Sequence, residues 1–211
     1  MPRLRDGSEV VVRELTPHDA PVLAEAFERL SAESRDLRFL GGKARLSTAD
    51  LQYLTTVDGH AHEALGAVDA RTGRGVGVAR FVRLVPDAPA AEVAVTVVDD
   101  WQRRGLGTLL LEELNERARA VGIERYTALV SGENKAVVAL LDRIGARVLS
   151  VDAAAGTVEY EVDLPAVGLG ASLHGALRGA ASGHMTLTQR VADALRSLLD
   201  HASPDAPETR D

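Results

Sequence analysis

Across Gln102-Arg103-Arg104-Gly105-Leu106-Gly107-Thr108 the hydrophobic period of the chain changes. Before it, Glu92-Val93-Ala94-Val95-Thr96-Val97-Val98 is rich in β-branched residues and reads as a strand. After it, Leu106, Leu109, Leu110 and Leu114 recur at three- and four-residue spacing, as on one face of a helix. Strand, glycine turn and helix therefore follow one another. Without a Cβ at Gly105 and Gly107 the backbone can come close to a ligand, and the free N–H groups of the first helical turn point at whatever anion sits there. A pyrophosphate fits that description. Two other phosphate-binding motifs fail on single residues. A Walker-type loop needs a Lys before its Ser or Thr, where Gly107 precedes Thr108, and the dinucleotide fingerprint needs a third small residue where the chain has Leu110.

The chain has 211 residues, enough for one substantial core with an appendage. Its formal charge is −7, and its arginines are scattered among Asp and Glu, so no basic stripe marks a nucleic-acid partner. With no Cys there is no disulfide framework, thiolate nucleophile or Cys-based zinc site, and no metal is expected. The polar start Met1-Pro2-Arg3-Leu4-Arg5-Asp6-Gly7 and the lack of an uncharged apolar run of roughly 18 residues argue against a signal peptide or a membrane span. The cytoplasm is the expected compartment.

Working outward, residues 3–13 read as two short strands about the Asp6-Gly7 turn. Thr16-Pro17-His18-Asp19 supplies an N-cap hydroxyl, an N1 proline and a first-turn acid for a helix through Leu30. Further helices start near Ser31 and Ser47. Residues 62–69 and 76–85 read as strands antiparallel to the Glu92 strand. After the central helix, residues 105–120, a strand over 124–130 is expected to run parallel to the Glu92 strand. A helix over 134–144 and strands over 148–151 and 157–162 close the domain. Beyond Pro165 a Gly- and Ala-rich stretch reads as a linker, Met185–Leu199 as an amphipathic helix and 203–211 as a disordered tail. The organisation expected is a domain over 1–164 and an extension over 165–211.

The spacing of Gln102, Gly105 and Gly107, with the element order around it, resembles motif A of the GNAT N-acetyltransferases. The resemblance implies an α/β (α+β) GNAT fold: a mixed, mostly antiparallel sheet of six to seven strands, with a splayed parallel pair and flanking helices. It also implies acetyl-CoA as cosubstrate. On that resemblance the diphosphate meets Gln102, Arg103, Arg104, Gly105, Leu106, Gly107 and Thr108, and the pantetheine arm meets the backbone of Val95, Thr96 and Val97. Asn134 matches a family Asn that lies alongside pantetheine.

Acyl transfer to an alkylammonium needs a base, and Glu92 is the candidate because it shares a face with Ala94 and Thr96 on the same strand. In position it resembles the glutamate used by several GNAT enzymes, the bacterial Pat-type protein lysine acetyltransferases included. One departure stands out. Where many members carry a Tyr seven residues beyond the Asn as general acid, this chain has Leu141; Tyr53 and Tyr126 are conceivable substitutes. Leu30 to Arg35, Arg38-Phe39-Leu40, Leu46-Ser47 and Leu54 to His60 resemble Pat-type segments, which implies Phe39, Asp58, His60 and His62 as residues lining the acceptor site. The expected activity is acetyl transfer from acetyl-CoA to a primary amine, a protein lysine first. The alternatives are a small-molecule amine, or an acyl-CoA-binding regulatory module that has lost turnover. The carboxy-terminal extension could cover the acceptor groove or a neighbouring subunit, as in a homodimer.

Overall fold

The computed structural model describes residues 1–39 and 44–164; the expected Met185–Leu199 helix and the rest of 165–211 lie outside the described residues. In chain order the elements are β1 (Val10–Glu14), α1 (Ala20–Glu28), α2 (Ala32–Phe39), α3 (Thr48–Thr55), β2 (His62–Asp69), β3 (Gly75–Val82), β4 (Ala90–Val97), α4 (Leu106–Ala120), β5 (Arg125–Ser131), α5 (Lys135–Arg143), β6 (Arg147–Asp152) and β7 (Thr157–Asp163). A single 3-10 turn, Pro17–Asp19, leads into α1, and Thr16 and Asp19 close a capping box there. Ser47 and Asp50 do the same for α3.

Seven strands form one sheet in the order β1-β2-β3-β4-β5-β7-β6. Every neighbouring pair is antiparallel except β4 and β5. That parallel pairing is brief. Only Ala90, Ala91 and Glu92 face Arg125, Tyr126 and Thr127, and from Val93 onward β4 pairs with β3 alone while β5 continues against β7. The sheet therefore forks immediately after Glu92.

Two differently furnished faces result from strand alternation. On one, Leu65, Phe81, Val93, Val95 and Val97 pack with Leu106, Leu110 and Leu114 of α4 in the main core. Each of those helix leucines is at most 1% exposed, and burying one stabilises by about 1.5–3 kcal/mol. Gly77 lets α4 lie this close, since a Cβ there would come within 3.1 Å of Leu110 and 3.2 Å of Leu106. On the other face, His62, Arg80, Val82, Glu92, Ala94 and Thr96 are brought together by cross-strand register beneath α1 and α3.

Two expectations need correction. Of the two strands expected about Asp6-Gly7 only the second forms; the first shrinks to an Arg3–Glu9 bridge, because the Arg5 amide donates instead to the Arg104 carbonyl at 3.1 Å. The strand expected over 76–85 ends at Val82. There the Arg83 guanidinium turns aside to donate to the carbonyls of His60, Ala88 and Val121, and Leu84 and Val85 are exposed.

Candidate active site

The site grows from the turn between β4 and α4. After Val98 the chain makes a short 3-10 turn, Asp99–Trp101, then passes through Arg103 at φ 62° and Gly105 at φ 93°. Gly105 is the N-cap of α4, in a left-handed conformation and with no side-chain cap. Glycine adopts that conformation without the roughly 1–2 kcal/mol that a Cβ would cost. Arg103 adopts positive φ without that freedom, so the loop carries backbone strain at the point of interest. Among the described residues, the backbone N–H groups of residues 103–108 donate to no carbonyl or side chain. Six successive donors at a helix start, two of their residues at positive φ, make a concave nest suited to an anion with several oxygens.

Side chains around the nest divide the work unequally. Arg104 is already committed: its Nη1 lies 2.9 Å from Asp6 Oδ2, its Nη2 donates to the Asp100 carbonyl, and its guanidinium covers the Trp101 ring at 4.9 Å. Arg103 is exposed and has no such partner among the described residues. Sequence reasoning missed Arg5, which the amino-terminal turn brings over Gly105; its Nε would lie 3.4 Å from a Cβ placed there. No motif signalled it, because the bonds that join these distant segments, from Arg5 N to Arg104 O and from Arg104 to Asp6 and Ser8, are long-range. Gly107 behaves differently from Gly105. A Cβ there would point at the sheet, 3.7 Å from Val97 and 3.9 Å from Val95, in ordinary contact.

The fork exposes one margin of β4. Val95 and Val97 turn their side chains under α4, Thr96 turns its own to the opposite face, and Gln102 Nε2 donates to the Val97 carbonyl at 3.2 Å. Glu92 is the last β4 residue paired on both sides, opposite Val82 and Thr127, and is only 2% exposed. It stands inside the strand. Asn134 caps α5, its Oδ1 accepting from Val137 N at 3.2 Å. Leu141 is 2% exposed in the main core, and Tyr126 is also buried there, its hydroxyl without a hydrogen-bond partner and its pKa raised by burial. Neither position presents a proton to the fork.

Of the acceptor-lining candidates, Asp58 folds its own turn. Burial alone would raise its pKa, but N–H donors from His62, His60 and Ala61 outweigh that and hold it low. His60 is exposed, with Nε2 3.0 Å from Asp87. His62 faces inward, stacked on Tyr53 at 5.0 Å, and burial together with the Arg80 charge pulls its pKa down to about 3. It is neutral at pH 7. Register sets His62, Val82 and Glu92 in one cross-strand row, so His62 and Glu92 are about 10 Å apart at two strand spacings. Phe39 ends α2, and its side chain lies outside the described residues. The start of α2 is tied to the turn between β4 and α4: Ser31 N, Ser31 Oγ and Ser34 Oγ all donate to Asp99 at 2.8–3.0 Å.

The chain and its fold also match known proteins. Residues 29–146 match the model of the acetyltransferase (GNAT) family. Over 165 residues the chain is 34% identical to the acetyltransferase Pat of Mycolicibacterium smegmatis, covering 78% of this chain and 49% of that protein. It thus spans about half the length of this relative. The crystal structure of the GNAT domain of S. lividans PAT superposes with a TM-score of 0.69 at 32% identity, covering 76% of this chain and 94% of that one. A phosphinothricin acetyltransferase from Sinorhizobium meliloti, solved in complex with AcCoA, shares the fold at 21% identity and a TM-score of 0.54, over 75% of this chain and 90% of its own. With more than half its length inside the family model and its fold superposing on a GNAT domain at 32% identity, the chain belongs to the GNAT acetyltransferase family.

Proposed function

We propose that this chain is an acetyl-CoA-dependent N-acetyltransferase acting on a primary amine, with residues 1–164 as its catalytic unit. The observation that carries the reading is the set of six unengaged N–H groups at residues 103–108, beside a strand that leaves its neighbour after Glu92. Those donors suit a diphosphate, with Arg103 and Arg5 free to add charge. The open margin of β4 at Val95, Thr96 and Val97 suits the amide groups of a pantetheine arm, and Asn134, which starts α5 after the neighbouring β5, is assigned to the same arm. When bound, acetyl-CoA supplies the thioester carbonyl that an amine attacks.

Everything else falls to the chain. An alkylammonium has a pKa near 10.4, so freeing its lone pair at pH 7 costs roughly 4–5 kcal/mol, and a positioned carboxylate must take the proton. Glu92 fills that role in our reading, because it is the side chain at the mouth of the fork. A backbone N–H of the splayed strand is placed to receive the developing oxyanion. With no Cys in the chain, direct attack in a ternary complex needs no covalent enzyme intermediate.

A protein lysine is the acceptor we favour, on the likeness of residues 30–35, 38–40, 46–47 and 54–60 to Pat-type lysine acetyltransferases. Acetyl-CoA turnover against a panel of proteins and small amines tests this: acetylated lysines on intact proteins support it, and turnover confined to small amines overturns it. A second reading has its own observation. Leu141 is sealed in the core where many relatives place a tyrosine acid, as fits a module that binds acyl-CoA without turnover. Binding of acetyl-CoA with no transfer across the whole panel would decide for it.

A further inference from the structure

On the sheet face opposite α4 lies a partly open cavity of about 70 Å³. Its walls are almost entirely aliphatic: Leu15, Val22, Leu23 and Ala26 on one side, Val78 and Ala94 on the sheet. Arg13 and Asp19 also reach it, but they neutralise each other through two hydrogen bonds of 2.7 and 2.5 Å. Arg80 is different. It is 1% exposed, and among the described residues no carboxylate lies within ion-pair distance of it. Nη1 meets His62 Nε2 at 3.2 Å, Nη2 donates to the Leu54 carbonyl at 3.2 Å, and Nε is buried with no partner.

Burial lowers the Arg80 pKa to about 10, which still leaves the guanidinium charged at neutral pH. Its neighbour His62 is neutral there and offers no negative charge in return. A desolvated cation without an anion is costly, and such a group in a cavity is a candidate for ligand recognition. Register places Arg80 opposite Ala94, whose methyl group leaves space on the cavity floor. The one uncompensated charge in the lining is therefore positive, and nearly everything around it is hydrocarbon.

We propose that this cavity is a binding site for a free apolar monocarboxylic acid, with its carboxylate on Arg80 and its hydrocarbon body against the aliphatic walls. The cavity shares Thr96 with the strand margin we assign to the pantetheine arm, but the proposal is read by binding of the free acid alone, so its failure leaves the proposed activity untouched.

Calorimetric titration of the full chain with octanoate, octan-1-ol and inorganic phosphate tests it. Octanoate should bind about tenfold or more tighter than the alcohol, which shares its body but lacks its charge, and phosphate should not bind. Arg80→Met, similar in length and uncharged, should erase the preference for the acid while still binding the alcohol. Should that variant not fold, Ala26→Phe fills the cavity instead, and octanoate binding should disappear while acetyl-CoA still raises the melting temperature. Equal affinity for acid and alcohol, no heat from octanoate, phosphate bound in its place, or an acid preference surviving in Arg80→Met each overturns the proposal.

Discussion

Two strand-to-helix turns of the same sheet start their helices in opposite ways. Where β5 passes into α5, the chain closes on itself: Asn134 Oδ1 accepts from Val137 N, and Ser131 Oγ accepts from Glu133 N. Where β4 passes into α4, no side chain caps the helix, a glycine holds the left-handed N-cap, and the N–H groups of residues 103–108 stay unengaged among the described residues. A capped start costs nothing to leave alone in water, whereas an uncapped one with strained backbone gains most from a bound anion. The fork sharpens the contrast, since β4 gives up its β5 neighbour after Glu92 while β5 is paired with β7 along its whole length. On that contrast we place the ligand on the β4 side.

The largest test concerns that asymmetry at the mouth of the fork, where Glu92 and Thr127 face each other. Glu92→Gln is expected to lower kcat/KM by about 10²–10⁴-fold at pH 7, the usual worth of a positioned base, with acetyl-CoA affinity unchanged. Thr127→Val should leave the rate within a few-fold. Steady-state rates across pH, set beside calorimetry, separate the two effects. An unaltered rate in Glu92→Gln removes the base from our scheme, and an equal loss in both variants removes the asymmetry.

Next in size is a pair of glycines, one in each turn. Gly105→Ala must hold a Cβ at φ 93°, and should lose roughly 1–2 kcal/mol of stability along with affinity for acetyl-CoA. Gly132 has no positive φ, and a Cβ there would only touch the Gly156 carbonyl at 3.4 Å. Its alanine variant should stay within about 0.5 kcal/mol of the parent. Urea unfolding with matched slopes measures both. Asn134→Ala turns the comparison round: removing the cap should cost about 1 kcal/mol of stability and change acetyl-CoA affinity far less. A rise in Kd as large as that of Gly105→Ala would mean that the second helix start also faces the ligand.

How much of this was legible beforehand follows from which forces are local. The change from β-branched residues to leucines at helical spacing marked β4, the turn and α4, because period and propensity are written in neighbouring residues. Capping at Thr16 and Ser47 was readable for the same reason. Long-range bonds were not readable. The amide of Arg5 leaves its hairpin for Arg104, the guanidinium of Arg83 ends β3 early, and Asp6 takes Arg104 away from solvent. Arg80 was missed although alternation places it with Val78 and Val82, since one arginine in a strand does not say which face is covered. Asp58 reads as an acceptor-site residue, and its carboxylate also braces its own turn through bonds that reach two to four residues ahead, a use the Asp-Gly-His spelling does not announce.

The smallest effect tests which cations serve the uncapped turn. Arg103 and Arg104 are adjacent and look interchangeable in the sequence, but Arg104 is held by Asp6, the Asp100 carbonyl and the Trp101 ring. Removing it should loosen the turn more than it weakens anion binding. Arg103 and Arg5 are exposed and uncommitted, so Arg103→Gln and Arg5→Gln should each weaken acetyl-CoA binding a few-fold at low salt, as expected for a solvent-exposed charge contact of up to about 1 kcal/mol. Because the Debye length shrinks to about 3 Å at 1 M salt, that loss should fade as salt is raised, whereas the Arg104→Gln effect should persist as a lower melting temperature. Calorimetry at two salt concentrations, beside thermal melts, reads all three variants. If Arg104→Gln alone loses affinity and salt abolishes the loss, Asp6 and the anion compete for the same guanidinium, and the turn is recruited by its ligand instead of being set in advance.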